Sequence, residues 1–209
     1  MFNLIRKDIL LTFSTKGNFL TIILIIPLMN LILGVSKPIQ LIEISIIYVG
    51  YILTISSFSY EFRYKSNMLI QSLPIKKRDI IFSKYISIFI NFIFSVIITV
   101  AYLWIISLFK IKTVDSFNFN IIKDTLSILL LGLSISLPLH FVLPPKIGNF
   151  TNVFFLMMII NTIILGSNRI NSMFNSKESG DFRLLIIAGL VWVLSMIISL
   201  VIYEKKDLI

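Results

Sequence analysis

The sequence predicts an all-α integral membrane protein with six transmembrane helices. Three observations carry that reading: an extremely apolar composition, six long stretches without charge, and a one-sided distribution of Lys and Arg. The 209-residue chain is 57% hydrophobic and only 14% charged, with 18 Phe, no Cys and a mean hydropathy of +0.96. Soluble domains average about 45–50% apolar and about 25% charged, so this composition belongs in a bilayer. A closed β-barrel also satisfies its backbone in lipid, but its strands alternate in polarity, and these runs are continuously apolar.

The first 16 residues, MFNLIRKDILLTFSTK, are too polar to span. On a helix, Phe2, Ile5, Ile9 and Phe13 share one side, which predicts an N-terminal interfacial helix over 1–16; a plain extension of the first span is the alternative. Uncharged stretches follow at 17–36 (20 residues), 44–60 (17), 85–109 (25), 125–145 (21), 147–168 (22) and 184–203 (20). Crossing about 30 Å of hydrocarbon takes roughly 20 residues of helix, so each qualifies, the second as a short span. The small-x-small triplet Gly34-Val35-Ser36 invites comparison with a signal-peptide cleavage site. The run before it far exceeds the roughly 7–15 residues of a signal h-region, so no cleavage is expected.

The longest segment between stretches, 61–84, has 24 residues. Folded domains start at about 50. The chain therefore reads as a single transmembrane domain, 1–209, with any soluble catalytic machinery on another chain.

With the N-terminus inside, the cytoplasmic segments hold 12 of the 19 Lys and Arg and the outer segments 7. Cytoplasmic loops are enriched in these residues, which predicts both termini in the cytoplasm. The formal net charge of +9 splits as +7 inside and +2 outside. This basicity is topological and does not imply nucleic acid.

The cytoplasmic loop 61–84, EFRYKSNMLIQSLPIKKRDIIFSK, carries the most information. A helix over 61–73 lines up Phe62, Leu69 and Leu73, with Arg63, Asn67 and Gln71 on the far side. Pro74 then breaks it, because proline lacks the N–H and pushes Leu73 out of the α region. A second helical start follows at Ile75-Lys76-Lys77-Arg78-Asp79. An exposed helix with an apolar stripe suits a groove on a partner. A basic loop on anionic headgroups also explains Lys76, Lys77 and Arg78, but not the stripe.

Pro138 lies inside the fourth span, which predicts a kinked or shortened helix before the turn Leu143-Pro144-Pro145-Lys146-Ile147-Gly148-Asn149. His140, the only histidine, reads as a hydrogen-bonded structural group rather than a ligand, since a metal site needs companions. No Gly-rich phosphate loop is present, and no Asp or Glu lies inside the six stretches. These features argue against an ATPase, a metalloprotease or a carboxylate enzyme in this chain, and the chain is not expected to be an enzyme. A proton- or ion-coupled carrier usually keeps a charge near the midplane. The deep polar groups here are neutral: Asn30, Tyr48, Tyr51, Thr54, Asn91, Thr99, Asn161 and Thr162, expected to form hydrogen bonds between helices. A transporter of this design needs energy from outside, which points to a separate ATPase beneath 61–84.

These residues resemble the ABC-2-type transporter permeases, the membrane half of two-component bacterial ABC exporters. The likeness covers nearly the whole chain. It rests on Asn3-Leu4-Ile5-Arg6-Lys7-Asp8, on the six spans, and above all on Ser72-Leu73-Pro74-Ile75-Lys76-Lys77-Arg78-Asp79-Ile80 followed by Ser83-Lys84-Tyr85. Leu137-Pro138-Leu139 with Gly148-Asn149 is similar to the fourth-span exit of the family, although Lys146 precedes the Gly where family members often carry a basic residue after it. In length and style the chain resembles the phenol-soluble-modulin and peptide exporter type.

The resemblance implies a permease dimer in the bacterial cell membrane, a homodimer or a heterodimer, surrounded by lipid and carrying two cytoplasmic ABC ATPase subunits. ATP and Mg would sit on those subunits, with no cofactor in this chain. It implies a coupling helix between the second and third spans, within 61–84, whose contacts with the ATPase involve Phe62, Arg63, Lys65, Met68, Leu69, Gln71, Leu73, Pro74, Lys76, Lys77 and Arg78. It further implies an extracellular cap over 169–183. Tyr51, Thr54, Ser57, Phe58 and Asn161 become the candidates for the translocation pathway. The cargo class left open is amphipathic peptide, lipid or drug. The alternative from another class is a non-transporting six-span protein, an immunity or assembly factor; an intramembrane enzyme would hang on His140 alone.

Overall fold

The computed structural model describes residues 2–14, 38–63, 76–108, 118–143, 145–166 and 182–205, with Leu24 and Pro27. Six helices account for them: α1 (Phe2–Ser14), α2 (Pro38–Arg63), α3 (Lys77–Leu108), α4 (Phe119–Val142), α5 (Pro145–Gly166) and α6 (Arg183–Lys205). The expected span at 17–36 apart from Leu24 and Pro27, most of the coupling segment and most of the cap at 169–183 lie outside the described residues.

Among the described residues, four segments are long and apolar enough to cross a membrane by length and composition: Ile39–Tyr60, Lys77–Ile105, Phe119–Val142 and Arg183–Lys205. In α5, Phe150–Asn161 forms a shorter apolar stretch. The helices outrun the uncharged stretches at their starts, because Glu43, Lys84, Lys123 and Asp124 are all helical. A helix carries a charge near its end where the side chain pairs, packs or reaches the interface. Lys123 does so by burying itself, with Nζ 4.8 Å from the centroid of the Phe182 ring.

Prolines set several boundaries. Pro38 and Pro145 open α2 and α5, where a missing N–H costs nothing because the first turn has no acceptor for it. Leu143, ahead of Pro144, takes an extended backbone (φ −81, ψ 147), the region a following proline favours, and ends α4. Pro138 does not shorten α4, which continues through it to Val142. A proline at 138 leaves the carbonyl of Ser134 without its usual donor. The Ser195 hydroxyl of α6 donates to that carbonyl at 2.6 Å, so a neighbouring helix repairs the gap.

The central element is α2, packed by α1, α3, α4 and α5, and it is buried along most of its length. Its close contact with α3 and α4 depends on Gly50, where an added Cβ would stand 2.7 Å from Leu129 Cδ1 and 3.2 Å from Ser95 Oγ. The facing side of α3 repeats small or polar residues every four positions: Ser83, Ser87, Asn91, Ser95 and Thr99, all buried. Small residues let helices approach where lipid offers no hydrophobic drive. In contrast, α6 packs mainly on α4 and leaves Ile186, Leu190, Leu194, Ile197 and Val201 exposed. That surface suits acyl chains.

The antiparallel course brings α1, the end of α2, the start of α3, the α4–α5 turn and the end of α6 to one end of the bundle. Phe58 and Lys84 meet there, Phe141 packs edge-on against Tyr203, and Arg78 pairs with Glu204.

Candidate functional site

At this shared end, five helices meet around Phe58. Lys84, two turns into α3, is buried together with Asp8 of α1, their side chains only 3% and 2% exposed. The Lys84 ammonium donates to Asp8 Oδ1 at 2.9 Å. It also stands 4.6 Å from the centroid of the Phe58 ring, a cation–π contact. On α4, the His140 ring stacks on Phe58, with centroids 5.2 Å apart and planes at 21°. The Asn152 amide of α5 shares a short hydrogen bond with His140 Nε2. Tyr51 of α2 closes the group by donating its hydroxyl to the Asn152 carbonyl at 3.4 Å.

The local sequence explains how the helices come so close. A Cβ on Gly148 would lie 3.3 Å from His140 Nδ1, so glycine in the first turn of α5 leaves room for the imidazole. Asp8 and Thr12 fall one turn apart on α1, and the Thr12 hydroxyl returns to the Asp8 carbonyl at 2.7 Å. The buried line of α1 thus runs through Asp8 and Thr12. It is offset from the middle of the predicted apolar sector, and Ile5 and Ile9 of that sector are half-buried.

The five pathway candidates separate. Tyr51, Thr54, Ser57 and Phe58 are all buried inside the bundle. Thr54 accepts from the Asn91 amide of α3 at 3.4 Å, while the Thr54 and Ser57 hydroxyls donate to carbonyls of their own helix. Asn161 is exposed on α5, on the side that also exposes Phe150, Phe154, Met157 and Met158. The structure does not bring it to the other four. Of the other deep polar groups, Thr99 turns back to the Ser95 carbonyl of its own helix rather than across.

Among the coupling candidates, Phe62 and Arg63 close α2, and Lys76, Lys77 and Arg78 open α3, where the Lys76 carbonyl accepts from the Asp79 N–H. Lys77 donates to the Glu204 carbonyl at 3.4 Å, and Arg78 Nε donates to the Glu204 carboxylate at 2.9 Å, both at the surface. These two bonds supply cations to the last turn of α6, where helix carbonyls lack partners. Lys65, Met68, Leu69, Gln71, Leu73 and Pro74 lie outside the described residues.

Sequence reasoning missed the Asp8–Lys84 pair. Its signal was faint: an acid in an otherwise apolar and basic helix, and a lysine bordering the longest uncharged stretch, 76 residues apart. His140 is hydrogen-bonded and stacked, as a structural histidine should be. Among the described residues no group of His, Cys, Asp or Glu could hold a metal ion.

A family model described as an ABC-2 family transporter protein matches residues 3–204. No curated protein and no solved structure matches the chain significantly.

Proposed function

The chain belongs to the ABC-2 transporter family, and from that premise we propose that it is the permease subunit of an ABC exporter, driven by separate ATPase subunits docked on the 61–84 loop. The observation that carries this reading is the gathering of helix ends. The two helices flanking the 64–75 segment meet α1, the α4–α5 turn and the end of α6 at one end of the bundle, so a push on that segment reaches every described helix. In this reading that end faces the cytoplasm of a bacterial cell, and both termini lie there. The start of α2 lies at the opposite end of the bundle from α1, which supports the expected span at 17–36 and six in all.

ATP binding and hydrolysis occur on the partner subunits, with their Mg, and this chain carries neither the reaction nor a cofactor. Closure of the ATPases displaces the coupling helices, and a packed, bistable bundle converts that displacement into a tilt between two permease copies. The exposed Phe, Met and Asn161 side of α5 supports a second copy there, with the pathway between the two. Tyr51, Thr54, Ser57 and Phe58 are buried in the single bundle, so of the five candidates only Asn161 lies on a surface that a second copy could share. An interior of aromatic and neutral polar groups suits an amphipathic peptide, with lipid or drug as the other cargo classes.

Co-purification tests the docking assignment. Serine at Phe62, Leu69 and Leu73 together is expected to abolish recovery of an ATPase with the permease. Undiminished recovery would sink it. Cargo-stimulated ATP hydrolysis by the intact complex is the second expectation, and a complex indifferent to every amphipathic peptide offered would remove peptide as the cargo class.

A further inference from the structure

The contacts around Phe58 form an unbroken series. Asp8 holds Lys84, Lys84 lies over one side of the Phe58 ring, His140 stacks on the ring, and Asn152 holds His140. In helix terms the series runs from α1 through α3, α2 and α4 to α5. Each link depends on direction and on exclusion from solvent. A buried carboxylate and ammonium have no water to take the partner's place, and a desolvated cation over a ring is worth more than an exposed one. The series adds a directional polar tie between its two ends to the packing of α1 on α2 and α3 and of α5 on α2 and α4.

We propose that Asp8, Lys84, Phe58, His140 and Asn152 are a mechanical joint that makes the N-terminal helix and the α4–α5 turn follow the two helices flanking the 64–75 segment as one body. What drives the joint rests on the permease reading; its rigidity does not. Phe58 is the hub, because its ring touches both Lys84 and His140. The N-terminal helix then acts as a part of the moving assembly. Its buried acid keeps it from sliding freely along the membrane interface.

The absence of Cys from the chain makes a direct test possible. Thr12→Cys places one thiol under α1 at a position 1% exposed, and Ala188→Cys places another in α6 at 0%, away from the junction. The rate of labelling of each thiol by N-ethylmaleimide is measured on the full chain in lipid nanodiscs, without nucleotide. Phe58→Leu is expected to speed labelling of the α1 thiol roughly tenfold, the scale of losing a desolvated cation–π contact. Asn152→Leu, whose side chain belongs to another helix and lies at the far end of the series from α1, is expected to speed it several-fold while the α6 thiol stays protected. If Lys84→Met opens the α1 thiol but Phe58→Leu and Asn152→Leu leave it closed, the ion pair is a local clasp and the joint is refuted. Equal opening at the α1 and α6 thiols means loosening of the whole bundle and also overturns it. Because no ATPase takes part, failure here leaves the permease assignment standing, and failure of ATPase recovery leaves the joint standing.

Discussion

Along one face of α3, Ser83, Ser87, Ser95 and Thr99 each return their hydroxyl to a carbonyl of their own helix, at 2.7–2.8 Å. At the gathered end of the bundle, Asp8, Lys84, His140 and Asn152 find their partners on other helices. Both regions bury polar atoms, but they depend on tertiary structure to different degrees. A serine that bonds its own backbone is satisfied wherever the helix goes, and contributes mainly a small volume that lets α2 approach. A buried ion pair is satisfied only in one arrangement of two helices. The first region can slide or repack at little electrostatic cost, whereas the second resists separation and is suited to carrying force.

That difference is open to measurement by unfolding in detergent. The largest effect is expected from Lys84→Met, which leaves buried Asp8 with the partly exposed Lys7, 3.3 Å away, as its cation and should cost about 3 kcal/mol. Asp8→Asn with Lys84→Met should recover most of the loss, and a double variant as unstable as the single one would show that packing rather than charge holds the joint. Next is Gly50→Val, where overpacking against Leu129 and Ser95 should cost about 1–3 kcal/mol. Gly189→Val, with nothing within 4 Å of the added Cβ, should leave the midpoint unchanged. Equal effects would deny that the serine column works through close approach. Tyr85→Phe removes hydrogen bonds to Ser195 and Ser199 that run between α3 and α6. It should cost about 1 kcal/mol, since Ser195 keeps the Ser134 carbonyl. The smallest shift, below about 0.5 kcal/mol, is expected for Ser95→Ala, because the hydroxyl serves its own helix. A loss as large as that of Lys84→Met would erase the contrast.

Much of the fold was legible in the sequence, and for a physical reason. Lipid offers no hydrogen bonds, so a long uncharged apolar run has to be helical, and α2 to α6 each contain one of the predicted stretches or nearly all of it. The starts were less legible. The uncharged stretch begins only at Tyr85, but the helical start read at Ile75–Asp79 agrees with an α3 that begins at Lys77 and takes Lys84 inside. Pro138 does not shorten α4, and Ser195, 61 residues away, supplies the donor that the Ser134 carbonyl lacks. For the candidate site, the family resemblance put forward Tyr51, Thr54, Ser57 and Phe58 of the second span with Asn161 of the fifth, and the structure brings only the first four together. The sequence could not show that Phe58 contacts both Lys84 and His140.

What the sequence determined by itself is the solvent of each segment. Composition and charge spacing place helices in lipid, and the family motif, with residues 3–204 matching, places the chain among ABC-2 transporters. What only the tertiary structure decided is which polar groups answer one another: Asp8 with Lys84, His140 with Asn152, the Ser134 carbonyl with Ser195. Transfer to lipid is a property of a residue and its near neighbours in sequence, and so can be read locally. The pairing of buried polar groups depends on which helix faces come together, and that is settled by packing across the whole bundle.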